Sequence, residues 1–275
     1  MWEVKMYKLL GLDIDGTLLN NSNKISEKNK KFISLLNERD VKVVLISGRE
    51  PSSIRHFNME LNLKNPIVGL NGGIITDHSG DKIFYEKCMD EIDAKKTIEL
   101  GEKFNMCSMV FIRNSLYVAN KKDKRFELFV KHSNSPTEEI GTLSEYLEKN
   151  KLWSSINKIL LADNNENLLE YRRNLEKETG NKLAMEFSLP FFLEIYDSNV
   201  SKGNALIKLG NILNINKEEM IIVGDGENDI TMIDYAGVGV AMGNAPESVK
   251  NMADYITLSN DEDGVSHVIQ KFWNV

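Results

Sequence analysis

Short apolar runs alternate with amphipathic stretches toward both ends of the chain. Leu9-Leu10-Gly11-Leu12 predicts a buried strand, and Ser26 is placed to cap a helix whose apolar face carries Phe32, Leu35 and Leu36. Residues 41–46 predict the next strand and 54–61 a helix. A second block of the same kind begins at Ser201, a candidate cap for a helix with Ala205, Leu206, Leu209, Ile212 and Leu213 at helical spacing. It continues with a strand over 220–223, a helix over 230–235 and a strand over 238–241. This alternation predicts an α/β fold: a Rossmann-like, doubly wound parallel sheet with helices on both faces.

Between these blocks the pattern changes. Strands predicted at 108–113, 116–119 and 157–162 are longer, more polar and closer to strict alternation. Two amphipathic helices, around 92–104 and 167–177, interleave with them. The middle therefore predicts an inserted α+β cap domain over 82–187. The core domain is then discontinuous, made of 1–81 and 188–275.

Composition narrows the partners. The chain has 275 residues, of which 41% are hydrophobic, enough to bury a real core. With 34 Lys and Arg against 41 Asp and Glu the net charge is −7, which argues against nucleic acid or a membrane surface as partner. Two cysteines, Cys88 and Cys107, are too few for a disulfide framework. No run approaches the roughly 18 apolar residues of a membrane helix, and residues 1–6 lack the apolar stretch of a secretory signal. A cytoplasmic location is expected.

Four polar clusters fall where predicted strands end, the usual place for ligands in open α/β sheets. In Asp13-Ile14-Asp15-Gly16-Thr17 two carboxylates leave a strand and a glycine permits a tight turn. Gly11 and Gly16 have P-loop spacing, but Thr17 replaces the lysine and the acidic residues would repel phosphate. In Ser47-Gly48-Arg49 a hydroxyl and backbone N–H groups can receive a phosphoryl oxygen, although a plain helix cap has the same letters. Lys202 sits in a first helical turn, where the helix dipole disfavours it unless an anion lies between them. Gly224-Asp225-Gly226-Glu227-Asn228-Asp229 imitates a dinucleotide fingerprint, yet Asp229 stands where the last glycine belongs. A divalent cation accounts for the acidic groups better, since hard oxygen ligands suit Mg²⁺. The later Asp261-Glu262-Asp263-Gly264 reads as an ordinary acidic turn. Together the clusters predict phosphoryl transfer through an aspartyl-phosphate, with carboxylates from two strands holding Mg²⁺ and Ser47 and Lys202 holding the transferring oxygens.

These motifs resemble the haloacid-dehalogenase (HAD) superfamily, and within it the Cof-type hydrolases with an α/β (type IIB) cap. The resemblance runs nearly end to end. It rests on Asp13-Ile14-Asp15-Gly16-Thr17-Leu18, Ser47-Gly48-Arg49, Val200-Ser201-Lys202-Gly203 and Gly224 through Met232, with Asn71-Gly72-Gly73 and Gly239 through Ala245 in support. Ser47 stands where the subgroup often has Thr, which keeps the hydroxyl. The resemblance implies that Asp13 is the nucleophile and Asp15 the general acid/base. Mg²⁺ would take the Asp13 carboxylate, the Asp15 backbone carbonyl and Asp225, with Asp229 binding through water or orienting its neighbours. Ser47, Gly48, Lys202 and Asn228 would contact phosphate. Arg49, Asn71, Gly72 and Arg113 are expected to contact substrate, with His132 a further candidate. The implied activity is hydrolysis of a small phosphorylated metabolite such as a sugar phosphate. A phosphomutase or phosphotransferase would use the same residues. A phospho-aspartate signalling module shares the acidic pair, hydroxyl and lysine, but needs only about 120 residues and no insert.

Overall fold

The computed structural model describes residues 7–130 and 135–275, so His132 lies outside the described residues. The first segment forms β1 (Leu9–Leu12), α1 (Glu27–Glu38), β2 (Lys42–Ile46), α2 (Pro51–Glu60), β3 (Ile67–Gly69), β4 (Ile74–Thr76) and β5 (Ile83–Glu86). The middle forms α3 (Glu91–Lys103), β6 (Cys107–Ile112), β7 (Ser115–Val118), α4 (Lys124–Val130), β8 (Thr137–Glu139) and α5 (Leu143–Lys149). It continues through β9 (Lys158–Ala162), α6 (Asn165–Thr179), β10 (Leu183–Leu189) and β11 (Phe192–Asp197). The last segment forms α7 (Lys202–Leu213), β12 (Met220–Gly224), α8 (Ile230–Tyr235), β13 (Val238–Ala241), α9 (Glu247–Lys250), β14 (Tyr255–Ile256) and α10 (Gly264–Trp273). Two compact units result. One holds the described residues up to Gly48 with Ile54–Tyr85 and Ser201–Val275; the other holds Arg49–Ser53 and Glu86–Val200.

The first unit is built on a sheet of order β14-β13-β12-β1-β2-β3-β4-β5. Pairing is parallel from β14 through to β3, and the winding direction reverses between β1 and β12. Both faces are covered, so the central strands are apolar at nearly every position. Leu10, Leu12, Val43, Leu45, Ile221 and Val223 pack with Ile33 and Leu36 of α1 and Val268 and Ile269 of α10. Leu9, Val44, Ile46 and Ile222 pack on the opposite face with Ala205, Leu206 and Leu209 of α7. Ser26 caps α1 as expected, its hydroxyl accepting from the Asn29 N–H at 3.1 Å. A departure from the parallel expectation is the antiparallel pair β3–β4. The link over residues 70–73 is too short for a parallel crossover, which takes about a dozen residues or more.

The second unit carries a sheet of order β10-β11-β9-β6-β7-β8, antiparallel except for β7–β8. One face packs Val110, Ile159, Leu161, Leu193 and Ile195 against Ile98 of α3 and Leu168, Tyr171 and Leu175 of α6. The buried Tyr171 hydroxyl donates to the Thr97 carbonyl at 2.7 Å, which ties the two helices together. The predicted insert ends at residue 187, but the second unit runs on to Val200. The reason is the hairpin β10–β11: β11 pairs with β9, so both strands belong to the second sheet. At the other end β5 belongs to the first sheet, which moves the start of the insert from 82 to Glu86. Both cysteines are free thiols. Among the described residues no helix is long and apolar enough to cross a membrane.

Candidate active site

The reversal of winding between β1 and β12 leaves a crevice at the carboxyl ends of two adjacent parallel strands. Leu12 is in register with Val223, and the Asp13 N–H donates to the Val223 carbonyl at 3.0 Å. Asp13 and Asp225, the residues just past each strand, are thereby set side by side. Asp13, Asp225 and Asp229 each offer a carboxylate oxygen, and these oxygens lie within 4.8 Å of one another.

A single ammonium enters this cluster from α7. Lys202 is 1% exposed, and its Nζ donates to Asp13 Oδ1 at 2.7 Å and to Asp229 Oδ1 at 2.5 Å. The Ser201 hydroxyl accepts from the Asn204 N–H and starts the helix, so Lys202 falls in the first turn. Gly203 lets that turn approach α8 closely, since a Cβ there would stand 2.4 Å from the Thr231 carbonyl oxygen. Asp229 is also held by the Asp225 and Gly226 N–H groups, which donate to its Oδ2 at 2.8 and 2.9 Å. With both oxygens engaged, Asp229 is arranged to orient Lys202 and the loop after β12.

The electrostatics follow from burial. Desolvation pushes the Asp13 carboxyl well above the usual carboxylate range; Lys202 opposes this, and Asp229, Asp225 and Asp15 add to it. Desolvation, then the Asp229 charge, pushes Asp225 to about 6. Burial alone would lower Lys202, but Asp13 and Asp229 outweigh it and its pKa is raised. Three clustered carboxylates facing one ammonium leave negative charge uncompensated. Hard oxygen donors with that charge balance fit a divalent cation.

The turn after β1 closes onto the same cluster. Thr17 is fully buried and its hydroxyl donates to Asp225 Oδ1 at 2.9 Å. Gly16 has φ of +82°, and a Cβ there would meet Asp225 Oδ2 at 2.3 Å. Gly16→Ala is therefore expected to displace the Asp225 carboxylate and lower kcat/KM by about 10–100-fold, measured beside an unchanged circular-dichroism spectrum. Asp15, by contrast, is exposed. Spacing alone gives no reason to single out Thr17; only the register of β1 against β12 reveals its role.

Ser47 is buried at the end of β2, and its carbonyl accepts from the Asn71 N–H at 3.0 Å. Asn71 Oδ1 accepts from Asn228 Nδ2 at 3.2 Å and would lie 2.8 Å from a Cβ on Gly48. Ser47, Gly48, Asn71 and Asn228 thus share one corner of the first unit. The turn that presents Asn71 is strained: Leu70 and Asn71 have φ of 53° and 55°, followed by Gly72 at 96°. Left-handed backbone at a bulky leucine costs energy and is typical of functional turns.

Arg49 and Arg113 are not brought into this cluster by their own unit. Arg49 Nη1 lies 3.4 Å from the Ser53 hydroxyl. Arg113 forms a two-toothed pair with Glu86, its Nε and Nη2 each 3.0 Å from a carboxylate oxygen. The basic stretch 121–125 has exposed lysines at 121, 122 and 124, while Arg125 pairs with Asp123 and Asp163.

A family model described as haloacid dehalogenase-like hydrolase matches residues 10–269. The phosphatase YwpJ of Bacillus subtilis strain 168 is 29% identical over 282 residues, spanning 96% of this chain and 99% of that protein. YcsE of the same strain, a 5-amino-6-(5-phospho-D-ribitylamino)uracil phosphatase, is 32% identical over 265 residues, 96% of this chain and 94% of its own. Among solved structures, a haloacid dehalogenase-like hydrolase from Bacteroides thetaiotaomicron is 30% identical with a TM-score of 0.86, covering 96% of this chain and 99% of that one.

Proposed function

The chain belongs to the haloacid dehalogenase-like hydrolases and is a phosphoric monoester hydrolase; from that premise we propose that it is a Mg²⁺-dependent phosphatase of small phosphorylated metabolites that works through a phosphoryl group carried on Asp13. The observation that carries this reading is the buried Asp13–Lys202–Asp229 cluster with Asp225 beside it at the reversal point of the sheet.

Asp13, the Asp15 backbone carbonyl and Asp225 would hold Mg²⁺, which when bound neutralises the carboxylates and polarises the phosphoryl group. Lys202 fixes the Asp13 carboxylate through Oδ1, so the nucleophile is held in one orientation. Asp13 attacks phosphorus in line while the Ser47 hydroxyl and the Gly48 N–H receive the equatorial oxygens. The exposed Asp15 carboxyl protonates the leaving oxygen, then takes a proton from the water that hydrolyses the Asp13 phosphate. Asn71 and Asn228 line the same corner and bind phosphate or the atoms next to it. As substrate contacts, Arg49 and Arg113 would exchange Ser53 and Glu86 for the substrate.

The substrate class proposed is a phosphorylated sugar or polyol, in keeping with the phosphoribityl substrate named for YcsE; a cytoplasmic location is part of the same reading. Turnover of p-nitrophenyl phosphate is expected to vanish in excess EDTA and return with Mg²⁺. In a panel of phosphomonoesters, a sugar or polyol phosphate should exceed p-nitrophenyl phosphate in kcat/KM. Full activity in chelator would overturn the metal, and a panel led by nucleotides or phosphopeptides would overturn the substrate class.

A further inference from the structure

The first unit contains a third loop at the same sheet edge as the two that carry the carboxylates. It follows β13, which lies beside β12 with Ala241 in register with Gly224. The Met242 N–H extends this pairing to the Gly224 carbonyl at 3.0 Å. Two residues on, the Asn244 side chain reaches back toward the cluster. Its Nδ2 donates to the Gly16 carbonyl at 2.9 Å and stands 3.5 Å from Asp225 Oδ2. Its Oδ1 accepts from the Asn260 N–H at 3.0 Å, so the amide is held from behind and cannot rotate without losing that bond. Asn260 in turn donates from Nδ2 to the Leu19 carbonyl at 3.0 Å.

The consequence is a carboxamide with its donor end on two pieces of chain, which Thr17 also joins. One is the 15–17 turn, whose Thr17 also holds Asp225 Oδ1. The other is Asp225 itself, on the loop after β12. A carboxylate in this position is surrounded by like charge from Asp229 and lies next to Asp13. Thr17 holds one oxygen and Asn244 approaches the other, so together they set which way the carboxylate faces.

We infer that Asn244 is a positioning residue for the cation site: its amide clamps the turn after β1 to the Asp225 carboxylate and keeps the metal-binding oxygens at their working spacing. The inference rests on the metal-dependent reading above. Removing such a hydrogen-bond partner of a ligand typically weakens metal binding by about 10–100-fold.

The test titrates Mg²⁺ alone into the full chain stripped of metal, followed by calorimetry, for wild type and four variants. Asn244→Ala and Asn244→Ser both remove the amide donor, and the second keeps the measurement available if the first does not fold. Asp261→Ala is the control. Asp261 ties Asn21 to the same neighbouring loop, its Oδ1 accepting from the Asn21 N–H at 2.9 Å, but it touches none of the clustered carboxylates. Asp225→Asn tests the underlying reading. The expected result is a Mg²⁺ dissociation constant raised about tenfold in the Asn244 variants and unchanged within about twofold in Asp261→Ala. In steady-state kinetics the Mg²⁺ concentration for half-activation should rise in parallel, with kcat at saturating Mg²⁺ kept within about threefold. Unchanged Mg²⁺ affinity in both Asn244 variants would overturn the inference. So would equal weakening in Asp261→Ala, because the effect would then be a loosened loop. If Asp225→Asn binds Mg²⁺ as tightly as wild type, the metal-dependent reading itself fails, whatever Asn244 does.

Discussion

Asp13→Asn is expected to leave the protein folded and to lower phosphatase turnover by at least about 10⁴-fold. The fold should survive because asparagine is isosteric and its carbonyl still accepts from Lys202 Nζ, which now lies 2.7 Å from Asp13 Oδ1. Turnover should not survive, because a carboxamide oxygen is a poor nucleophile toward phosphorus and forms no stable phosphorylated product. Asp15→Asn gives a contrasting result. The exposed Asp15 carboxyl is assigned proton transfer, which is worth about 10²–10⁴-fold. That variant should still be labelled on Asp13 by an activated donor such as acetyl phosphate, and the label should decay slowly. Rapid quenching and intact-mass measurement read the two variants directly: no mass increase for Asp13→Asn, and a persistent increase of one phosphoryl group for Asp15→Asn. Near-normal turnover by Asp13→Asn would mean that another carboxylate carries the phosphoryl group, and Asp225 would be next to examine.

What the chain reveals without a structure depends on whether the signal is local. The β1, β2 and β12 strands are legible because both of their faces are buried, so Leu9–Leu12 and its partners are apolar at nearly every position. The Ser26 and Ser201 caps are legible because a hydroxyl accepting from an N–H three residues on is a local device. The β3–β4 pair was not expected as such: its strands are three residues each, below the length at which period can be read. The end of the insert was misplaced for a related reason. β10 alternates buried and exposed positions, and only its pairing through β11 to β9 assigns it to the second sheet. In the site, Asp13, Asp225 and Lys202 were legible as acidic and basic residues at strand and helix ends. Thr17 and Asn244 lie in stretches that carry the resemblance, but their roles are not legible, since an uncharged hydroxyl or amide near a turn looks like any other turn residue until the partner 208 or 228 positions away is known.

Lys202→Met is expected to destabilise the metal-free protein by about 3–5 kcal/mol at neutral pH, because it strands buried carboxylates without their ammonium. The lysine is 1% exposed and bridges Asp13 and Asp229, so methionine fills a similar volume but answers neither charge. The loss should depend on pH in a specific direction. Asp13 already has a carboxyl pushed up by burial from its ordinary 3.8, and Lys202 is the partner that restrains it. Without Lys202 the folded-state value rises further. A carboxyl whose folded pKa exceeds its unfolded one binds more protons in the folded state, so its favourable contribution is complete below about 4 and is lost as pH climbs through the folded value. Lys202 in wild type behaves differently over this range: its pKa is raised above 10.5, so its contribution is constant until strongly alkaline pH. The gap between wild type and variant should therefore be small near pH 4.5 and widen toward pH 8, as Asp13 in the variant loses its proton with no ammonium to meet the charge. Urea denaturation at four or five pH values, with chelator present throughout, measures that gap. A deficit of the same size at every pH would assign it to packing around the methionine, and the buried lysine would then matter for its shape and not for its charge.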